Sequence, residues 1–457
     1  MAKSVLESVT RKETLRKSSF LAVGSVIDRK AFVWKKEALD SVIHKIDDWQ
    51  KRFDPPWFLI VRYSSSAIDQ QLQAGNTSMA RRGAPNAAKD PLALVSGMRA
   101  AIMPSSNQRG PLFLPECAME TSPITHSSAR LGRLLGGDQR WYIVDSVSFE
   151  SRVDISQLSR DVRHLAAKLC QADPIAFGLL NCKGIMPISQ QHDSSQGASQ
   201  RQPIALNIVF RIPPGMDTLF SLRQMLLMPD LRMSVTRRVR VARELAKSIS
   251  YVHVFNFVHK NVRPESVLCF EDTTQSRSHT FLVGFDAFRA ADGATRLQGD
   301  MSWEKNLYRH PERQGDFPSE KYNMQHDIYS LGVCLLEIGL WESFVEYTYQ
   351  DDTLQPQTGK CYSQFQQWLT GVSSDARMAF SYDLPWQVKD YLVEVARSEL
   401  PARMGEKYAT VVVACLTCLD PTSTISSNST NEPEEQSMTV AVRFIEKTLL
   451  LLNEISV

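Results

Sequence analysis

From Ala38 the apolar residues Leu39, Val42, Ile43, Ile46, Trp49 and Phe53 recur at helical spacing, and Pro55-Pro56 ends the pattern. The spacing predicts one amphipathic helix with a sharp stop. Over 64–129 apolar positions thin out among polar, Pro- and Gly-containing stretches, interrupted by LALVSGMRAAIM, so this part reads as a mostly flexible connector. Extended-type patterning opens at Arg140 with WYIVDSVSF, followed by the helical stretch LSRDVRHLAAKLCQ and two apolar runs, AFGLLNCKGIM and IALNIVFRI. The expected order is strand, helix, strand, strand, with the polar insert SQQHDSSQGASQRQ as a disordered loop between the last two.

Beyond Pro214 the pattern is mostly helical to the end of the chain. Val235, Val239, Ala242, Leu245, Ala246, Ile249 and Val252 trace one helix face, and further helices are predicted at 327–343, 387–398 and 406–419. The segment 421–437 is poor in apolar residues and reads as mobile, ahead of a last helix at about 438–453. No internal repeat is visible.

Composition changes this picture little. A chain of 457 residues predicts two or three folded units, and 43% hydrophobic with 22% charged residues is the balance of a globular protein. With 52 basic against 50 acidic side chains the formal charge is +2, so no field favours nucleic acid. No stretch approaches the roughly 20 apolar residues of a membrane-spanning helix, and the N-terminus lacks a signal-peptide apolar segment; a cytoplasmic location is the expectation. The basic run Lys12, Arg16 and Lys17 beside Phe20 and Leu21 reads as an amphipathic helix packed on the domain, with peripheral lipid contact as the alternative. Cys415 and Cys418 share an apolar helix face and read as buried core thiols, and no metal site is assigned.

Four segments then occur in a fixed order. HKNVRPESVL at 259–268 resembles the protein-kinase catalytic loop H-R-D-L-K-P-E-N, and FLVGFDAF at 281–288 resembles the segment containing D-F-G, here Gly284-Phe285-Asp286. YRHPERQ at 308–314 looks like the A-P-E segment, and HDIYSLGVCLLEIG at 326–339 like the large hydrophobic helix of a kinase C-lobe; CLTCLDP at 415–421 resembles its last helix. The resemblance implies an α+β, two-lobed protein-kinase-like fold: an N-terminal helical segment at 1–60, a connector at 61–129, a small β-rich N-lobe at 130–228, a large helical C-lobe at 229–425, and a linker with a C-terminal helix at 426–457.

Phosphoryl transfer needs a base for the acceptor hydroxyl, oxygen ligands for Mg²⁺ and a lysine on the phosphates. At the positions that match, the base is Asn261, whose amide cannot hold a proton near neutral pH, the loop lysine is Arg263, and the metal-binding asparagine is Ser266. Gly284 stands where a metal-binding carboxylate is expected, with Asp286 two residues on as a shifted substitute. Asp145 in WYIVD occupies the phosphate-lysine position, LSRDVRHLAAKLC supplies no glutamate partner, and LGRLLGGDQRW lacks the G-x-G-x-x-G spacing. Losing one such contact costs about 3 kcal/mol in a transition state, on the order of 100-fold in rate, so the depleted set is ill equipped for ATP and Mg²⁺ and no cofactor is assigned. By the same resemblance His259 and Asp327 buttress the catalytic loop, and Glu312 pairs with a late basic residue, for which Arg403 is the candidate.

HKNVRPES, GFDAFR and DIYSLGVCLLEIGLWESF, preceded by FRIPPG, are similar to filamentous-fungal kinase-like proteins, many of which carry an N-terminal HeLo or prion-inhibition helical domain. That resemblance implies a role in incompatibility or cell-death signalling. DRKAFVWKKEALDSVIHKIDDWQKRF at 28–53 resembles the last helix of such a region, but the roughly 60 residues before the connector are too few for a complete bundle. Three readings stand: an impaired kinase-like module that binds a protein partner; a divergent serine/threonine kinase using Asp286 for metal and Lys183 for phosphate; and an effector segment at 1–60 restrained by the large domain.

Overall fold

The apolar run Tyr142-Ile143-Val144 puts Trp141–Ser148 into a strand buried on both faces, Tyr142 and Val144 on one and Ile143, Asp145 and Val147 on the other, inside a five-stranded antiparallel sheet. A computed structural model describes residues 10–14, 23–27, 112–115, 119–135, 140–149, 155–189, 203–272, 277–290, 302–315, 318, 320–350, 353–365, 367–368, 384–420 and 448–455. The helix expected over 38–53, nearly all of the polar insert at 189–202 and the segment 421–437 lie outside the described residues. The chain divides into two units, Met1–Phe58 and Leu59–Val457.

In the first unit the described residues form an antiparallel pair, β1 (Thr10–Thr14) and β2 (Val23–Ile27), with Thr10 opposite Ile27. Lys12 is therefore on a strand, not on the expected amphipathic helix. The β-branched residues Thr10, Thr14, Val23, Val26 and Ile27 explain this, because their stiff side chains fit a pleated ladder better than a helix.

In the second unit the sheet runs in the order β3 (Met119–Pro123), β4 (Arg130–Leu134), β5 (Trp141–Ser148), β7 (Pro203–Arg211), β6 (Cys182–Ser189). It begins before Arg140, and β3 falls inside the stretch read as a connector. Neither β3 nor β4 has a clear alternation; backbone pairing holds them, with Gly132 opposite Thr121. A Cβ on Gly132 would stand 2.7 Å from both Met119 Sδ and Val144 Cγ2, so side-chain absence permits this close pairing. Helix α1 (Ile155–Leu169) buries Val162, Leu165, Ala166 and Leu169. The run AFGLL is not a strand: Asp173 caps a short helical turn at Pro174–Phe177, its side chain accepting from Ala176 N at 2.8 Å.

The chain beyond Pro214 is less uniformly helical than its pattern predicts. β8 (Met216–Ser221) leads into α2 (Leu222–Leu227) and α3 (Val235–Val254), both opened by a serine cap. β9 (Phe257–Val258), β10 (Val267–Asp272), β11 (Arg277–Leu282) and β12 (Arg289–Ala290) follow, pairing β11-β10-β8 and β12-β9. Helix α4 (Met324–Leu340) is buried almost all round, a central helix wrapped by other elements. It runs into a hairpin, β13 (Val345–Gln350) and β14 (Thr353–Thr358), where V-E-Y-T-Y-Q carries period two rather than the expected helical period. Helices α5 (Leu384–Met404) and α6 (Glu406–Leu416) close the core, with Cys415 and Cys418 fully buried. This is a mixed fold, an antiparallel sheet followed by helices, and no helix among the described residues is long and apolar enough to cross a membrane.

Candidate functional site

Four segments converge at the candidate site: the end of β5, the loop after β9, the turn at Pro264–Ser266 and the turn after β11. A buried carboxylate sets the loop. Asp327, on the first turn of α4, accepts from His259 N at 2.7 Å, Lys260 N at 2.9 Å and Tyr322 OH at 2.7 Å, with His253 Nε2 at 3.1 Å. Burial works against its charge, yet His253 and these donors hold its carboxyl below the ordinary range. Lys260 sits at φ 65°, a left-handed conformation that the two bonds from Asp327 to consecutive N–H groups help to hold. His259 turns its ring away from Asp327: Nε2 donates to Val283 O at 3.0 Å and Nδ1 accepts from Asn261 N at 3.3 Å. The His259 imidazole is thus tied to the next strand's end, and burial lowers its pKa.

The residues at the degenerate positions bond to one another. Asn261 Nδ2 donates to Asp286 Oδ1 at 2.8 Å, and Asn261 Oδ1 accepts from Arg263 Nε at 2.8 Å. Ser266 Oγ is spent on the backbone of Arg263, accepting from its N at 3.1 Å and donating to its O at 2.8 Å. Asp286 is exposed; Asp145 is its opposite, 2% exposed, with Oδ2 accepting from Gly284 N at 2.8 Å and Phe285 N at 3.2 Å. Burial pushes the Asp145 carboxyl up to about 7; the two N–H groups oppose that shift and the charge of Asp286 adds to it. Among the described residues no cation pairs with Asp145.

Gly284 is at φ 82°, and a Cβ there would stand 2.8 Å from Ser266 Cβ, 3.1 Å from Ser128 Oγ and 3.3 Å from Asn261 Nδ2. A carboxylate side chain at this position has neither the backbone conformation nor the room it needs. Lys183 is not brought to Asp145 or to the turn: its Nζ donates to Tyr142 OH at 2.5 Å and lies 4.2 Å from that ring's centroid. A magnesium nucleotide needs cations on its phosphates and free carboxylate oxygens on its metal. Here the buried carboxylate faces the protein's own N–H groups, and the polar side chains around it are engaged with each other, so these residues do not fit that ligand.

A second cluster, next to the first, was not singled out in the sequence. Arg223 on α2 is fully buried; its Nε donates to Glu265 Oε1 at 3.0 Å, Nη1 to Glu337 Oε1 at 2.8 Å and to Ser343 Oγ at 2.5 Å, and Nη2 to Tyr308 OH. Tyr308 OH passes its proton toward Glu337 Oε2 at 2.8 Å, Tyr347 OH donates to Glu265 Oε1 at 2.7 Å, and Phe344 N to Glu337 Oε1 at 2.8 Å. Burial disfavours every charge here. Glu265 and Glu337 nevertheless hold the Arg223 guanidinium well above its usual value, and Arg223 with Arg263 holds Glu265 at about 2. A lone arginine in FSLRQMLL and a lone glutamate in GVCLLEIGL, each within an apolar run, were the available signals.

The expected Glu312–Arg403 pair does not form. Arg403 bonds to Glu342 at 2.9 Å and to Glu399, one helical turn back, at 3.1 Å, because its place at the end of α5 puts it beside both. Glu312 instead lies 3.3 Å from His310 Nδ1.

No family model matches this chain, and no curated protein does. Among the solved structures that match is a chain from the structure of the CAK complex from Chaetomium thermophilum bound to ATP-γ-S. It shows 13% identity and a TM-score of 0.39, over 73% of this chain and 90% of that chain.

Proposed function

We propose that residues of the second unit form a two-lobed, protein-kinase-like domain that is impaired in phosphoryl transfer and works as a regulatory or protein-interaction module. The observation that carries this reading is Asp145: a buried carboxylate hydrogen-bonded to Gly284 N and Phe285 N, at the position where the motif resemblance expects a phosphate-binding lysine. A nucleotide phosphate at that position meets a carboxyl in place of the ammonium that would hold it. Gly284 removes the metal carboxylate, and Asn261 cannot serve as a base. The similarity of HKNVRPES and GFDAFR to fungal kinase-like proteins extends the reading to incompatibility or cell-death signalling, with a protein as the partner.

The test is a melting curve of the full chain with ATP, alone and with Mg²⁺ or Mn²⁺, beside a radiolabelled transfer assay. A nucleotide that binds the folded state at a hundredfold excess over Kd stabilises it by about 2.7 kcal/mol. The expected result is no transferred label in any condition. Metal-dependent label that disappears in Asp286→Ala establishes the divergent kinase instead, since Asp286 is the exposed carboxylate beside Asn261.

A further inference from the structure

A separate group of side chains lies where the turn Pro311–Arg313 meets the start of α4. His310, Glu312 and His326 each offer one ligand atom within 4.8 Å of the others. His310 and His326 are each 1% exposed, while the Glu312 side chain is 32% exposed and reaches solvent. Both imidazoles use only one nitrogen. His326 Nδ1 accepts from Asn323 N at 3.0 Å and lies 2.8 Å from Asn323 Oδ1; His310 Nδ1 accepts from Glu312 N at 3.4 Å and lies 3.3 Å from Glu312 Oε2. Nε2 of each ring is buried with no hydrogen-bond partner.

Two buried imidazole nitrogens without partners, on rings 5.9 Å apart and next to a carboxylate, are costly as they stand. A divalent cation removes that cost when both rings take the tautomer with the proton on Nδ1, where His310 faces Glu312 Oε2 at 3.3 Å and His326 faces Asn323 Oδ1 at 2.8 Å, leaving two Nε2 lone pairs to bind it. We infer that His310, Glu312 and His326 form a zinc site that ties the turn at Pro311–Arg313 to the N-terminal end of α4. His326 Nδ1 lies between Asn323 N and Asn323 Oδ1, and zinc at Nε2 requires the tautomer in which Nδ1 donates to Oδ1, a bond that orients the ring as outer partners of metal-bound histidines do. Tyr329 and Trp386, with ring centroids 5.1 Å and 5.2 Å from that of His310, cover the His310 ring, and the group opens to water on the Glu312 side. The nearby cation Lys389 is already balanced by Asp420 at 2.5 Å. Zinc bonds of about 2.0–2.2 Å set tetrahedral ligand atoms about 3.4 Å apart, so the group must close by up to about 1.4 Å through shifts of both imidazole rings and the Glu312 side chain; the fourth position is left for water. The site is independent of whether the chain transfers phosphate.

The experiment uses the full chain, stripped with a chelator, dialysed, and titrated with zinc chloride while metal content and melting temperature are followed. The expected result is about one zinc retained per chain with a rise in melting temperature, both lost in His326→Ala and in His310→Ala. Because either histidine variant can fail to fold, Glu312→Gln at the partly exposed ligand decides independently, with zinc affinity reduced at least tenfold, the scale even outer partners carry. Wild-type chain that retains no zinc after titration, or Glu312→Gln chain that retains it with unchanged affinity, overturns the site.

Discussion

The Arg223 cluster and the Asp145 turn each bury carboxylates in the same region of the chain, and they deal with them differently. Around Arg223 one guanidinium is shared by Glu265 Oε1 and Glu337 Oε1, which also accept from Tyr347 OH and Phe344 N; Tyr308 OH donates to Glu337 Oε2, and Glu265 Oε2 is buried without a hydrogen-bond partner. Around Asp145 no cation pairs with the carboxylate among the described residues, and the hydrogen bonds from Gly284 N and Phe285 N are what offset burial. In the first arrangement Arg223 and Glu265 are held in their charged forms, while burial raises the Glu337 carboxyl. The second pushes its carboxyl toward the neutral form and turns it onto backbone N–H groups, so charge pairing holds the one in place and backbone hydrogen bonds the other.

The comparison is sharpest in Arg223→Met, which leaves Glu265 and Glu337 buried without their cation; urea unfolding should show a loss of about 3–5 kcal/mol. If the loss is below about 1 kcal/mol, the charges of that cluster are not what holds it. Asp145→Asn should act in the opposite sense. With its folded pKa raised to about 7 from an ordinary 3.8, Asp145 favours folding fully at pH below the lower value, and that contribution is lost as pH rises through about 7. The amide keeps an acceptor for both N–H groups and has no charge, so the variant should be more stable by roughly 2–4 kcal/mol at pH 8 and little changed near pH 4. A melting-temperature profile against pH that is identical in both proteins removes the contrast. Gly284→Asp, forced into φ 82° against Ser266, should cost about 1–3 kcal/mol in thermal unfolding and yield no metal-dependent transfer. Arg403→Ala, which breaks two ion pairs whose side chains are about 37–50% exposed, should cost under about 1 kcal/mol, the baseline for the buried cluster.

What the sequence made legible follows from the range of the interactions. Helix α3 was readable from Val235 to Val252 because its signal is local, a repeated apolar face behind a serine cap. Gly284, Asn261 and Ser266 were readable as departures from a linear motif. The bond from Gly284 N to Asp145 joins residues 139 apart, and Arg223 reaches Ser343 across 120; no periodicity reports such pairings. The hairpin β13–β14 was missed for another reason, a short period-two run read as part of a helical stretch. Glu312 and Arg403 show the limit of motif transfer: the motif named a glutamate, while its neighbours were decided by where α5 ends.

Gly284 also bears on how this site changes over generations or in the hands of an engineer. Aspartate at 284 meets Ser266 Cβ; lysine at 145 strands two buried N–H donors; asparagine at 266 breaks both bonds to Arg263 inside a fully buried space. Each exchange is unfavourable on the others' present background, so the three are epistatic. A route to a metal-binding centre at these positions therefore begins with destabilising steps, and single-site libraries screened for activity will not complete it.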